Sequence, residues 1–504
     1  MNLKAFCQKN KLTLFQAVVS AATAFAVLAV CSKSSFLYAF NDWVDANCFF
    51  TVGKSMANGL TLYKDIFEQK GILLYVIHML SYFISKDSFF GVYIFEVLAA
   101  GIFSFIAYRF LLLYNCKKSS FITVPLFTAF VYSQHAFCQG DSAEEFCLPF
   151  LLGVMYLTFK AIKKDKPLNA KQLVTIGMCA ACVLWIKYTM LGFYIGAAII
   201  AFIIIIKNNG MVEVLKSVGY VFLGILIITV PVFIYFAMNN AVGDMIEVYF
   251  YDNMFLYSSG GNASMISKLA GVLTNTVNGV LKAYKSNLFI PALSCAGLVC
   301  SLVVDRKLAV LNYIFIYFFA ALFIFGGGRS YDYYGLPFAA LSFYGAVFCA
   351  VGIERLLSDK RKILWRVTVP CVIVLSILIP YFLSDNVGFA LIKREQLPQY
   401  KFKKIIDETS GSGASATLLN YGSLDNGFYT VCDIVPNCKY FCNLNIPLDT
   451  IMIEQDKYVA DKRIDYIVTR GKKPLGFSGY ECISSAFYKY KGGKRTYFLY
   501  HISR

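Results

Sequence analysis

Along this chain apolar residues run for about twenty positions at a stretch and are then broken by short polar intervals. A helix needs ~20 apolar residues to cross the hydrocarbon core. Helices also satisfy their own backbone groups there. The pattern predicts eleven spans, at about 13–37, 88–113, 120–137, 146–160, 173–186, 190–206, 217–238, 286–303, 307–325, 335–353 and 365–384. Segment 72–86 is apolar but only about fifteen residues long, which fits a re-entrant or interfacial helix better than a crossing. The first run, Thr13 to Leu37, is long and has no small-residue cleavage site, so it is expected to stay as an anchor.

Beyond residue 384 the pattern changes to that of a soluble domain. Alternating apolar runs at Ala416–Tyr421, Ile464–Thr469 and Tyr497–Tyr500 predict strands, and Lys401–Glu408 and Thr450–Tyr458 predict helices. Gly411-Ser412-Gly413 is expected to be a turn, since it lacks the spacing of a phosphate loop. The expected fold class is therefore a polytopic α-helical membrane protein of about eleven spans (1–384) with a small extracytoplasmic α/β domain (385–504). Residues 39–87 form its first external loop. No internal repeat is visible.

Composition agrees: 58% hydrophobic, 17% aromatic and only 15% charged residues, against ~25% charged in soluble domains. The formal charge of +17 does not imply nucleic acid. Most Lys and Arg sit in short loops, with no recognition helix or stacking platform beside them, and no nucleic-acid partner is expected. Most of the sixteen cysteines are scattered through the spans, where Cys acts as a small apolar residue. Cys432, Cys438, Cys442 and Cys482 lie in the C-terminal region, where a disulfide is open. Zinc is not expected, because His is nearly absent and the spacing fits no common site.

Positive charge orients the spans. With 72–86 not crossing, nineteen Lys and Arg fall in short segments on the side of the N-terminus and nine on the other. The N-terminus is therefore expected in the cytoplasm. The outer face then collects the polar stretches of interest: the first loop, Gln139–Glu145, Lys187-Tyr188, the loop 239–285, and Gly326–Tyr334.

These stretches hold the candidate chemistry. Asp42 and Asp45 emerge beside Trp43 just past the first span. A carboxylate there can deprotonate or orient an acceptor hydroxyl or amine, or it can be a solvated loop residue. Lys64 and Lys70 flank Asp65 and Glu68; they can hold a lipid-linked phosphate as point charges or pair locally. Asp141, Glu144 and Glu145 put three carboxylates in five residues. They can orient an acceptor, bind a divalent ion such as Mg or Mn through oxygen, or cap the following helix. Arg329 follows three glycines and can grip phosphate bidentately. Tyr331, Tyr333 and Tyr334 can stack on a sugar or form the interfacial belt. Lys187, after Trp185, is a lesser phosphate candidate. His78 and His135 have no partner in the pattern and are expected to be structural.

The series first-loop Asp, Asn58-Gly59, Tyr63-x-Asp65-x-Phe67-x-x-Lys70, then Leu73-Leu74-Tyr75 resembles the membrane-embedded GT-C glycosyltransferases. The branch it is most similar to is family 39/83-like, with the protein O-mannosyltransferases and lipid A aminoarabinose transferases. The family's first acidic motif falls on Asp45, with Asp42 as alternative. Its Lys-Pro-Pro-Leu motif falls on Lys70-Gly71-Ile72-Leu73. Its second acidic motif falls on Asp141–Glu145, and its late Arg/aromatic/Pro motif on Arg329 to Pro337. Departures are Ala46 where Glu is common, Gly71-Ile72 in place of two prolines, and Asp332 or Tyr333 where a His is common.

The resemblance implies a GT-C-like membrane glycosyltransferase, hexosyl or pentosyl, that takes sugar from a polyprenyl-phosphate donor to an extracytoplasmic glycan, lipid or protein acceptor. Asp45 or Asp42 would activate the acceptor. Lys64, Lys70, Arg329 and Lys187 would hold the donor phosphate, Asp141, Glu144 and Glu145 would orient the acceptor or a metal, and Tyr63, Asp65, Tyr331 and Tyr333 would line the substrate. The polyprenyl donor points to a bacterial plasma membrane with the active site and C-terminal domain outside. The readings kept beside it are a flippase or transporter, whose ionisable path would have to use mainly Glu96 and Arg109, a polymerase or ligase of lipid-linked glycans, and a noncatalytic scaffold.

Overall fold

The computed structural model describes residues 11–256, 265–358, 362–410, 416–471, 478–490 and 493–503. The expected turn at Gly411-Ser412-Gly413 lies outside the described residues. The helices of the membrane region are α1 (Lys11–Cys31), α2 (Val44–Ala57), α3 (Ile72–Ile84), α4 (Phe90–Leu112), α5 (Ser120–Tyr132), α6 (Ala143–Lys164), α7 (Ala170–Lys187), α8 (Gly192–Asn209) and α9 (Met211–Met238). They continue with α10 (Val242–Met245), a π-helical stretch Ile246–Leu256, α11 (Met265–Ser286), α12 (Phe289–Val304), α13 (Lys307–Phe325), α14 (Phe338–Ser358) and α15 (Lys362–Leu383).

Every expected span falls on a helix, and the chain is a multi-pass membrane protein. The lengths differ from expectation. Among the described residues seven helices are long and apolar enough to cross, or eight if the pair Ala270–Ser286 and Phe289–Val303, bent by 113°, counts as one span. Two expected spans, α5 and the apolar part of α15 (Pro370–Leu383), are shorter apolar helices. The spans expected at 173–186 and 190–206 form one 40-residue helical run, broken where Lys187 turns extended (φ −157°, ψ 98°). The first span ends at Cys31, six residues before the expected Leu37. Lys33, Ser34 and Ser35 lie beyond it and are buried by the protein itself. At 13 residues, α3 is ~20 Å long, too short to cross. The expected loop 239–285 is largely helical.

Two compact units divide the chain. The first comprises Met1–Ser32, Glu96–Val232 and Ser259–Val387; the second comprises Lys33–Phe95, Phe233–Ser258 and Gly388–Arg504. In the first unit, helices meet through small residues, as membrane helices do without a hydrophobic driving force between them. Gly196 on α8 sits so close to α13 that a Cβ there would lie 2.5 Å from Ile316 Cα.

The second unit joins the loop after α1 to the C-terminal segment. That segment folds as helix α16 (Pro398–Ser410), strand β1 (Leu418–Tyr421), α17 (Phe428–Cys432), α18 (Thr450–Ala460) and strands β2 (Tyr466–Arg470), β3 (Tyr480–Tyr490) and β4 (Gly493–Ile502). The sheet order is β1-β2-β4-β3. β1 and β2 are parallel, with Leu419 opposite Ile467, so α17 and α18 lie in the crossover a parallel pair requires. β2–β4 and β4–β3 are antiparallel. Leu419, Ile464, Ile467, Tyr500 and Ile502 form its core.

Helix α2 is buried on nearly all sides, including polar residues Asn47, Thr51 and Lys54. Their i, i+4, i+7 spacing puts them on one face, and that face meets the segment after β1. Thr51 Oγ1 donates to Asp425 Oδ2 at 2.6 Å, Thr430 Oγ1 to Asn47 Oδ1 at 3.2 Å, and Lys54 Nζ to the Tyr429 carbonyl at 2.5 Å. The four C-terminal cysteines are free thiols.

Candidate active site

In the first unit the structure brings together motifs far apart in sequence. Ser142 caps α6, its side chain accepting from Glu145 N at 3.0 Å. The capped turn fixes Glu144 and Glu145 at the start of the helix, where the dipole favours carboxylates. Glu144 is paired with Lys187, and the Lys187 ammonium lies 4.0 Å from the Tyr334 ring centroid and 5.3 Å from that of Tyr333. Tyr333 stacks on Tyr331 at 5.5 Å and 2°. Arg329 Nη1 donates to Tyr331 Oη at 3.5 Å. The expected second acidic motif, Lys187 and the late Arg/aromatic motif thus form one continuous chain of contacts. The extended backbone at Lys187 breaks the helix and sends the side chain to Glu144.

The other two carboxylates of that motif turn inward. The Asp141 N–H donates to Glu96 Oε1 at 2.7 Å and to Glu145 Oε2 at 3.0 Å, and Ser32 Oγ donates to Glu96 Oε2 at 2.8 Å. The turn that makes this contact has positive φ at Cys138, Gly140 and Asp141. At Gly140 (φ +84°) a Cβ would lie 2.4 Å from Ser32 Oγ and 2.5 Å from Glu96 Oε1, so only glycine fits. His135 is also partnered: Nδ1 lies 2.7 Å from Asp385 Oδ2 and Nε2 lies 3.3 Å from Asp332 Oδ2.

In the second unit, Asp45 lies in the first turn of α2 and is half-buried. Asp42 Oδ1 accepts from Lys33 Nζ at 2.6 Å. Glu68 is buried, and its Oε2 accepts from Lys70 N at 2.8 Å. Burial raises its carboxyl above the ordinary value; Lys70 draws it down, and the nearby Asp45 charge pushes it up again. The Lys70 ammonium sits 5.9 Å from the Phe49 ring.

The loop carrying these groups is pinned at several points. Tyr63 (φ 68°) is buried between Phe236 and Tyr249, and its hydroxyl donates to the Lys70 carbonyl at 2.5 Å. Asp65 Oδ2 accepts from Thr61 N at 2.8 Å, and Lys64 Nζ donates to the Asn239 carbonyl at 2.9 Å. Phe67 N donates to the Lys439 carbonyl and Asn253 Nδ2 to the Gln69 carbonyl. Tyr63 and Asp65 therefore shape the loop that presents Glu68 and Lys70.

Three groups lay outside the expected site set. Lys33, in Ser32-Lys33-Ser34-Ser35, falls within the bounds expected for the first span. Glu68 stands two residues before Lys70, and that spacing is the sequence signal that marks it. Glu96 was assigned to a transport path, and a lone carboxylate in a span is the signal that marks it.

Among the described residues no three His, Cys, Asp or Glu side chains gather as a metal site. No step below is routed through a metal.

The family described as "Putative competence-induced protein Ccs4 N-terminal domain" matches residues 6–289, more than half of the chain. The chain belongs to this family. The match includes the first loop, the Asp141–Glu145 stretch and Lys187, and ends before Arg329. No curated protein matches in sequence. Two solved structures share the fold along nearly the whole chain. One is ArnT from Cupriavidus metallidurans bound to undecaprenyl phosphate: TM-score 0.61 and 11% identity, covering 97% of this chain and 98% of that one. The other is ArnT from the same organism in the apo state: TM-score 0.59 and 10% identity, covering 96% and 97%. This member of the Ccs4 N-terminal domain family thus adopts the fold of those two structures along nearly its whole length, with the expected small C-terminal α/β domain.

Proposed function

We propose that this protein is a membrane glycosyltransferase that moves a sugar from a polyprenyl-phosphate donor to an extracytoplasmic acceptor. The observation that carries the reading is the near-complete overlay on ArnT, a structure of which holds undecaprenyl phosphate. An isoprenoid tail partitions into the bilayer, so such an enzyme needs spans and surface carboxylates and no nucleotide-binding fold.

In this reading Asp45 is the base. It takes the proton of the acceptor O–H or N–H as that atom forms its bond to the anomeric carbon. The bond from that carbon to the phosphate oxygen breaks, and its electron pair leaves with the lipid phosphate. Direct displacement inverts the anomeric centre. Lys70 and Lys64 offset the charge growing on the leaving phosphate. Asp45 is taken before Asp42 because the resemblance places the first acidic motif on it, and its charge acts on Glu68, two residues before Lys70. Location in a bacterial plasma membrane, with the N-terminus cytoplasmic and these residues outside, belongs to the same proposal.

The test compares wild type with Asp45→Asn in nanodiscs, each given a panel of radiolabelled polyprenyl-phosphate sugars and a cell-envelope acceptor extract. Wild type is expected to consume one donor and label the extract, with a loss of about 100-fold or more in Asp45→Asn. Full activity in the variant moves the base to Asp42 or to Asp141–Glu145. A folded wild type that consumes no donor overturns the reading.

A further inference from the structure

The second unit contains a cavity of about 200 Å³ that none of the proposed phosphate contacts lines. Its wall is built from chain that adjoins membrane helices. Lys33 to Asn41 follow α1 directly, and Ser88 to Phe90 lead directly into α4. Arg394 comes from the stretch that follows α15. Lys33 and Ser88 each lie two residues from the end of an apolar helix, where a span reaches the lipid headgroups.

The lining has one sign of charge. Lys33 and Arg394 contribute, and no Asp or Glu does. Lys33 is buried and already answers Asp42 at 2.6 Å, so Arg394 is the cation a ligand would meet. It is solvent-exposed, with its guanidinium 5.5 Å from the Tyr400 ring centroid. A planar guanidinium is the side chain best matched to a phosphate. Ser34, Ser35 and Ser88 add hydroxyls, which can donate to phosphate oxygens. Two other lining residues, Phe36 and Phe90, are 55% and 42% exposed. Exposed rings at the edge of a cationic, hydroxyl-lined cavity suit an amphiphile better than a free anion.

We propose that this cavity is a lipid-phosphate site, in which Arg394 and the serine hydroxyls hold the phosphate while Phe36 and Phe90 contact the first carbons of the chains. The phosphate can come from a bilayer phospholipid or from a polyprenyl phosphate. Neither Lys64 nor Lys70 lines this cavity, and the site does not depend on the transfer reaction.

The test is native mass spectrometry of the full-length protein in detergent with phosphatidylglycerol, undecaprenyl phosphate, or diacylglycerol as the phosphate-free control. Wild type is expected to retain one phosphate lipid more strongly than diacylglycerol. Arg394→Glu is expected to lower that retention by 10-fold or more, on the order of one charge-assisted hydrogen bond, and Arg394→Lys to keep most of it. Arg394 is exposed, and an unchanged melting temperature confirms that both variants fold. Undecaprenyl phosphate displacing phosphatidylglycerol identifies a polyprenyl source, and the reverse identifies the bilayer; either supports the site. Equal retention by wild type and Arg394→Glu, or diacylglycerol bound as well as phosphatidylglycerol, overturns it.

Discussion

Lys33 Nζ lies 2.6 Å from Asp42 Oδ1, with the two side chains 1% and 9% exposed. The Lys33 ammonium also sits 3.5 Å from the Phe389 ring. One of the two first-loop carboxylates is thus held by a cation nine residues before it. Removing one member of a buried pair leaves the other charge unanswered, which typically costs ~3–5 kcal/mol. Lys33→Met and Asp42→Leu should each lower stability by about that much, and the double variant should recover most of the loss. Thermal melts of the purified protein check this. Losses that simply add would show that the contact carries no coupling.

How far this arrangement was legible in sequence follows from which signals are local. Helix positions were, because hydropathy reports the membrane directly. The end of α1 was not: Phe36, Leu37 and Tyr38 continue the apolar run, yet they follow Lys33-Ser34-Ser35 and belong to a folded loop. Strand β3 was missed because a bulge between Cys482 and Ser484 shifts the alternation that marks a half-buried strand. The Glu144–Lys187–Tyr334 and Asp141–Glu96 contacts join residues more than forty positions apart. Their residue types were visible and their pairing was not. The polar stripe of α2 was visible too, but its partner segment, near Asp425 and Tyr429, has no periodic pattern to announce it.

That stripe has a consequence for pH. Burial lowers the Lys54 ammonium to about 8, against the opposing pull of Asp433 and Asp425. Burial also raises the Asp425 carboxyl to about 6, opposed by Thr51, the Gly427 N–H and Lys54. Between about pH 8 and Lys54's ordinary 10.5, the unfolded chain holds a proton the folded one has released, so stability rises with pH. Between the ordinary 3.8 and about 6, the folded chain keeps a proton on Asp425 that the unfolded one has lost, so stability falls as pH rises. This pair therefore leaves the second unit least stable between about pH 6 and 8. Lys54→Met should abolish the rise above pH 8, which is worth on the order of 3 kcal/mol, and leave the fall below pH 6 in place. Melting temperatures from pH 4 to 10 read this out. A Lys54→Met protein that keeps the alkaline rise would refute the assignment.

The cysteines offer a test of sidedness. Cys482 is exposed on β3. Cys48 and Cys442 are buried with their sulfurs 3.7 Å apart, and burial pushes both thiols above their ordinary value. The thiolate is the reactive form, so these two should resist alkylation while the protein is folded. Cys295, Cys349 and Cys371 are also exposed, but they sit on membrane helices where a water-borne reagent does not reach. A membrane-impermeant maleimide added to intact cells should therefore label Cys482, and Cys482→Ser should remove nearly all of the signal. Labelling of Cys482 only after permeabilisation would put the C-terminal domain in the cytoplasm. That result would invert the orientation inferred from the basic loops and move the proposed chemistry to the other membrane face.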